Sequence, residues 1–363
     1  MGQVRYIVIG AGAVGGTIGG CLFQGGHDVV LVARGAHLEA LRTHGLRLST
    51  PLGTDVLAIP AAGGAAEVAL RRDDVLILAT KTQDAEALLT EWARQPVADA
   101  GDPAGSADVD GLAGTVAAEV IPVVCAQNGV TSERIALRRF RHVYGLHVWL
   151  PATHLEPGTV QAQGVPFAGM LQVGRYPAGV DPTAERISAD LEKSRFLAPV
   201  RADVMRWKYS KLLDNLNNAA EALCGREYTG FGSAAPQSSD AADLYRLTRA
   251  EGTAVLDAAG LAYASRPELT ELRGDRVRIE PINGSARAGG SSWQSLTRGT
   301  GTIEADFLNG EIVLLGRLHG IPTPVNEALQ RLANEAAAQR RAPGFLTPGQ
   351  VLAAAGVGDR SGR

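Results

Sequence analysis

The chain lacks any apolar run approaching the ~20 residues that span a bilayer, and no basic segment leading into a short apolar one opens it. A soluble, cytoplasmic protein with no membrane partner is expected. Excess charge is missing as well: 35 Lys and Arg stand against 38 Asp and Glu, for a formal net charge of −3. That balance gives no electrostatic footprint for nucleic acid. Cysteine is scarce, and Cys21, Cys125 and Cys224 are odd in number, far apart and without a CxxC pair or zinc-like histidine spacing. They read as small buried thiols. With seven scattered histidines and no HExxH, no metal site is expected.

Glycine, in contrast, is abundant, with 44 residues. The strand-like run Tyr6-Ile7-Val8-Ile9 breaks into Gly10-Ala11-Gly12-Ala13-Val14-Gly15-Gly16 and then into helix-compatible sequence. Such spacings arise by chance in glycine-rich chains, but this one lies between a strand and a helix, as a dinucleotide turn requires. Gly10 allows the tight turn, Gly12 lets backbone approach a pyrophosphate, and Gly15 lets helix and sheet pack closely. The next apolar run, Val29-Val30-Leu31-Val32, ends in Ala33-Arg34 where an acid would meet the ribose of NAD. Arg34 suits a 2′-phosphate, so NADP(H) is the expected cofactor; the plain alternative for Arg34 is a solvated loop cation.

Length suggests about two domains. Strand signals at Arg5–Ile9, Asp28–Val32, Val75–Ala79, Ile121–Ala126 and Val143–Leu146 alternate with helical stretches, which predicts a parallel, doubly wound sheet. Leu46–Thr50 and Asp55–Ile59 flank Pro51-Leu52-Gly53 as a hairpin or short extended insertion, expected as decoration. Residues 98–114, rich in Gly, Ala and Asp, read as a surface loop. After Val200 helical periods take over. The fold class is therefore α/β: an N-terminal doubly wound Rossmann-type domain over 1–200, a C-terminal all-helical domain over 201–340, and a loose tail over 341–363. The active site is expected in the cleft between them, and a small-molecule ligand is the expected partner. The oligomeric state is left open, a homodimer included.

Within the first helix of the second domain, Lys211, Asn215 and Asn218 fall at i, i+4 and i+7 and share a face, with Lys208 close to the same stripe. A ketone reductase needs a proton donor as charge develops on oxygen, and a lysine ammonium, with a reference pKa of about 10.4, can serve. An ordinary solvated amphipathic helix is the competing reading.

The Gly10–Gly16 turn, Lys81-Thr82-Gln83, Gln127-Asn128-Gly129, the Lys/Asn helix and Glu304-Ala305-Asp306-Phe307-Leu308-Asn309-Gly310 occur in an order that resembles the ketopantoate reductase family. The resemblance runs from about Arg5 to Leu332. It implies NADPH-dependent reduction of a 2-oxoacid, ketopantoate to pantoate, on the coenzyme A route. By resemblance, Gly10, Gly12, Gly15 and Arg34 hold cofactor phosphates, while Lys81 and Asn128 lie near the nicotinamide. Lys211 is the implied catalytic lysine by its spacing to Asn215, although a neighbouring tryptophan, Trp207, favours Lys208. Glu304 would orient the lysine. Asn215, Asn218 and Ser292 would bind substrate; Ser292 follows from the spacing to Glu304, whereas the spacing to Gln294 gives Ser291. The chain departs from the family at Ala219, where a second asparagine is usual, and at Ser295, where an acid is usual. A relative acting on another 2-oxoacid and a non-catalytic NADP(H) sensor are the alternatives.

Overall fold

The computed structural model describes residues 4–98, 114–225, 228, 238–285 and 289–357. The expected loop at 98–114 thus lies, apart from its ends, outside the described residues. The chain divides into two compact units, Met1–Lys208 with Arg266–Arg287, and Tyr209–Ser265 with Ala288–Arg363. The division comes eight residues later than the Val200 boundary expected from composition, because the start of a helix at Val204 packs on the first unit's sheet.

The first unit opens with β1 (Arg5–Ile9), α1 (Ala13–Gln24), β2 (Asp28–Val32) and α2 (Gly35–His44). A hairpin of β3 (Leu46–Thr50) and β4 (Gly53–Leu57) follows, then β5 (Ala61–Ala62), β6 (Leu70–Arg71) and β7 (Asp74–Leu78). Next come α3 (Ala85–Ala93), β8 (Val97–Ala98), α4 (Ala117–Val120), β9 (Val123–Cys125), α5 (Ser132–Leu137) and β10 (Val143–Trp149). Short strands β11 (Ala152–Thr153), β12 (Thr159–Ala162) and β13 (Gly164–Pro166) lead to β14 (Gly169–Arg175), α6 (Pro182–Lys193) and β15 (Phe196–Leu197).

The main sheet has the order β15-β14-β10-β9-β7-β1-β2-β5. Successive residues of β1 feed opposite faces: Tyr6 and Val8 join Ile18, Leu22 and Ile187 on one side, and Ile7 and Ile9 join Leu89 and Trp92 on the other. This two-sided burial is why the strand reads as an unbroken apolar run. Each fully buried Leu, Ile or Phe contributes about 1.5–3 kcal/mol. The sheet is not wholly parallel, since β14 runs antiparallel to β10. The link between them contains only short strands and no crossover helix, so the chain returns in the opposite direction.

The hairpin is more than decoration. It belongs to a four-stranded sheet of order β11-β12-β3-β4, with β12 parallel to β3. A Cβ on Gly19 of α1 would lie 2.6 Å from Leu31 of the main sheet, whereas one on Gly20 would lie 2.9 Å from Leu48 of the small sheet. Glycines on both sides let α1 sit tightly between two sheets.

In the second unit, α7 (Val204–Asn215), which starts in the first, is followed by α8 (Asn217–Cys224) and α9 (Ser239–Ala258). The segment that returns to the first unit holds α10 (Arg266–Arg273) and β16 (Val277–Ile279), the latter paired with β13. Helices α11 (Ser291–Thr297), α12 (Asn309–His319), α13 (Pro324–Ala338) and α14 (Pro348–Ala354) complete the second unit, whose described residues form helices and no strand. The expected loose tail contains α14, because Thr347 and Gln350 form a capping box and Val351 and Leu352 are buried in the core with Leu244. All three cysteines are buried thiols. Among the described residues no helix is long and apolar enough to cross a membrane.

Candidate active site

The carboxyl ends of neighbouring strands β2, β1, β7 and β9 bring Arg34, the glycine turn, Lys81 and Asn128 to one edge of the main sheet. That edge is where ligands of doubly wound sheets bind. The three motif glycines have separate reasons to be glycine. Gly10 has φ +99°, and a Cβ there would meet Thr80 Cγ2 at 2.6 Å. A Cβ on Gly15 would fall 2.0 Å from the Gly10 carbonyl oxygen. Gly12 differs: the nearest atom to its Cβ position is His154 Cδ2 at 4.0 Å, and as N-cap of α1 it offers no side-chain cap. Open space before uncapped helix amides fits a pyrophosphate.

The turn is tied to its surroundings by backbone. Gly10 and Ala11 N–H groups both donate to the Val32 carbonyl, at 3.0 and 3.1 Å. His37 Nε2 lies 2.8 Å from the Ala11 oxygen while its Nδ1 accepts from Gly158 N–H at 2.9 Å. These bonds assign the neutral ring protonated on Nε2. Burial lowers the His37 pKa below its ordinary value, the bond to Ala11 opposing in part.

Arg34 is the N-cap of α2 and its side chain is 84% exposed, so it can reach a ligand. Its Nη2 lies 3.1 Å from Asp84 Oδ2. No acid directly follows β2 in the sequence, but Asp84 supplies one in space from the 3-10 turn Thr82–Asp84, which Lys81 caps. Lys81 itself is half-buried, as is Asn128.

Lys208 and Lys211, three residues apart on α7, have different surroundings. Lys208 is 3% exposed, and its Nζ donates to the carbonyls of Gln127 (3.0 Å), Leu146 (3.3 Å) and Cys125 (3.4 Å). It also forms an ion pair with the fully buried Glu133 at 2.5 Å. The sequence signal for this pair was absent, since nothing local links Glu133 to α7. Lys211 is only half-buried.

In the second unit, Asn215 and Asn218 are both buried. Asn218 Nδ2 donates to Ser291 Oγ at 3.3 Å, bringing the amide helix and the serine loop together. Ser292, beside it, is 2% exposed. The usual acid replaced by Ser295 leaves a hydroxyl that donates to the Ser291 carbonyl at 3.0 Å. Glu221, which no motif marked, accepts from Gly290 N–H where α11 begins. Glu304 is buried at the opening of a 3-10 turn, Glu304–Phe307. Arg298, also unmarked, has its pKa lowered by burial, the field of Glu304 opposing in part.

Two family models match the chain: Ketopantoate reductase PanE/ApbA over residues 6–178, and its C-terminal counterpart over 203–337. The chain belongs to the ketopantoate reductase family. A 2-dehydropantoate 2-reductase from Pyrococcus horikoshii is 24% identical over 331 residues, which is 91% of this chain and 96% of that protein. Among solved structures, a PanE/ApbA family ketopantoate reductase from Ralstonia eutropha JMP134 aligns with TM-score 0.70 at 23% identity, covering 93% of this chain and 99% of the other. D-mandelate dehydrogenase, solved with NADH and anilino(oxo)acetate, aligns with TM-score 0.72 at 19% identity over 93% and 99% of the two chains. The family makes this protein an oxidoreductase that uses NAD(P)H, with a Rossmann-type domain and a helical domain.

Proposed function

We propose that this ketopantoate reductase family member reduces 2-dehydropantoate to pantoate with NADPH, the step that serves pantothenate and coenzyme A synthesis. The observation that carries the reading is in the second unit: Asn218, next to the position where the family's second asparagine is lost, bonds the serine loop at Ser291. An amide and a hydroxyl at substrate-binding positions thus support each other despite Ala219. The bond favours Ser291 over Ser292 as the substrate-binding serine.

When bound, the nicotinamide supplies the hydride. The chain's own groups do the rest. Gly12 would admit the pyrophosphate, Gly10 and Gly15 hold the turn's shape, and Arg34 would hold the 2′-phosphate. Lys81 and Asn128 would hold the nicotinamide end. As the carbonyl carbon is reduced, charge gathers on its oxygen, and Lys211 Nζ donates the proton there, with Glu304 orienting the ammonium. Lys208 is poorly suited to that task, because its ammonium already serves Glu133 and three carbonyls. Asn215, Asn218 and Ser291 hold the substrate's carboxylate and hydroxyl.

A second reading has its own observations. Asp84 beside Arg34 offers a carboxylate to a ribose 2′-hydroxyl, as NADH would require. Ala219 and Ser295 also allow a different 2-oxoacid. Steady-state oxidation of NADPH and NADH with 2-dehydropantoate and a panel of branched 2-oxoacids tests both. The proposal expects the highest kcat/KM for NADPH with 2-dehydropantoate, and a higher value for any other pair overturns it.

A further inference from the structure

The buried ion pair of Lys208 and Glu133 lies wholly within the first unit and has no part in the chemistry above. Its geometry brackets a single loop. Gln127, whose carbonyl accepts from Lys208 Nζ, opens the segment, and Glu133, in the first turn of α5, closes it. Asn128 and Gly129, the latter with φ +85°, lie between. Both amide atoms of Gln127 and the Ser132 hydroxyl are buried without hydrogen bonds among the described residues, and the buried Glu133 carboxylate has its ion pair with Lys208. One ammonium therefore gathers the loop's two ends.

The fold is shaped to let Lys208 reach this place. Gly145 on β10 faces Gly174 on β14 in register. A Cβ on Gly174 would fall 1.9 Å from the Arg201 carbonyl oxygen, and one on Gly145 would lie 3.1 Å from Val204 Cγ1 and 3.6 Å from Lys208 Cδ. The paired glycines clear a lane across the sheet for residues 201–208. Burying two charges has a large desolvation cost that apolar residues of similar size would avoid. A lysine whose three donors can reach several carbonyls at once is, however, suited to fixing backbone.

We propose that Lys208, held by Glu133, is a positioning residue: it fixes the 127–133 loop so that Asn128 is presented to the cofactor. The proposal rests on the reading of Asn128 as a cofactor-binding residue. Lys208 acts through the loop and touches neither cofactor nor substrate.

The test is a double-mutant cycle on dinucleotide binding, followed by fluorescence of the reduced dinucleotide that the wild-type protein binds more tightly. Lys208→Met with Glu133→Gln removes both charges together and leaves no lone buried ion. Its Kd is expected to rise about tenfold, within the range of coupling between contacting residues. Adding Asn128→Ala to that pair should weaken binding no further than Asn128→Ala alone, and the pH profile of kcat should keep its shape. Should that protein not fold, Lys208→Gln with Glu133→Gln, which keeps polar groups at both positions and likewise leaves no lone ion, carries the same cycle. An unchanged Kd, or losses that multiply, overturns the positioning role. So does an unchanged Kd with a lost basic limb in the pH profile, which would make Lys208 the proton donor. If Asn128→Ala alone leaves Kd unchanged, the cofactor reading of Asn128 fails first and the positioning role falls with it.

Discussion

Arg34 and Asp84 form an ion pair at 3.1 Å at the end of β2, with side chains 84% and 34% exposed. So open a pair adds roughly 0–1 kcal/mol to stability, which leaves the guanidinium available to a ligand. A charge-assisted hydrogen bond to a 2′-phosphate is worth about 1.5–3 kcal/mol. Arg34→Ala should therefore raise the NADPH Kd about 10- to 150-fold and leave NADH binding nearly unchanged. Asp84→Asn should tighten NADPH, since it removes the competing carboxylate. Paired titrations with both dinucleotides check this; weakened NADH binding in Asp84→Asn would instead assign the carboxylate to the ribose.

The glycines of the turn should separate in their effects. Gly15→Ala must force its Cβ away from the Gly10 oxygen and is expected to cost about 1–3 kcal/mol or more in urea unfolding. Gly12→Ala meets open space, so its stability should stay within about 0.5 kcal/mol of wild type. Its dinucleotide Kd should nevertheless rise about tenfold or more, the factor for about 1.4 kcal/mol of lost contact. Equal loss of stability in both would contradict the distinction.

His37 gives a stability term with a definite sign. Its folded pKa lies below the ordinary value of about 6.5, so between the two the unfolded chain binds more protons. The contribution is complete above the unfolded pKa and is lost as pH falls below it. Protonation also turns Nδ1 into a donor facing the Gly158 N–H. Chemical unfolding at about pH 5 and about pH 7.5 should show a smaller drop for His37→Gln than for wild type, and an equal drop would remove His37 as a source.

The Asn218–Ser291 bond separates the two candidate serines. Ser291→Ala is expected to raise the KM for the 2-oxoacid about tenfold, for roughly 1.4 kcal/mol of lost hydrogen bonding, with unchanged dinucleotide affinity. Ser292→Ala should change KM less. The reverse order would return the role to Ser292.

What was legible in the sequence was local. The bounds of β1 and β2 follow from apolar runs buried on both faces, and the glycine turn follows from its place between strand and helix. Relationships across the chain were not legible. Arg34 and Asp84 are 50 residues apart, Asn218 and Ser291 73, and Lys208 and Gln127 81. Helical spacing put Lys208 close to the amide stripe, yet its long stem carries the ammonium to carbonyls of β9, of β10 and of the loop after β9, which periodicity cannot encode. The direction of β14 was not legible for a similar reason: it depends on the connection, and an apolar run reads the same both ways.

The proposed reaction is a lysine-assisted reduction of 2-dehydropantoate by NADPH. Single-turnover oxidation of protein-bound NADPH on mixing with 2-dehydropantoate tests it most directly, with wild type and Lys211→Ala compared. The account expects rapid oxidation in the wild type and a rate about 10² to 10⁴-fold lower in Lys211→Ala, with NADPH affinity retained. No oxidation in the wild type, or an undiminished rate in Lys211→Ala, would contradict it.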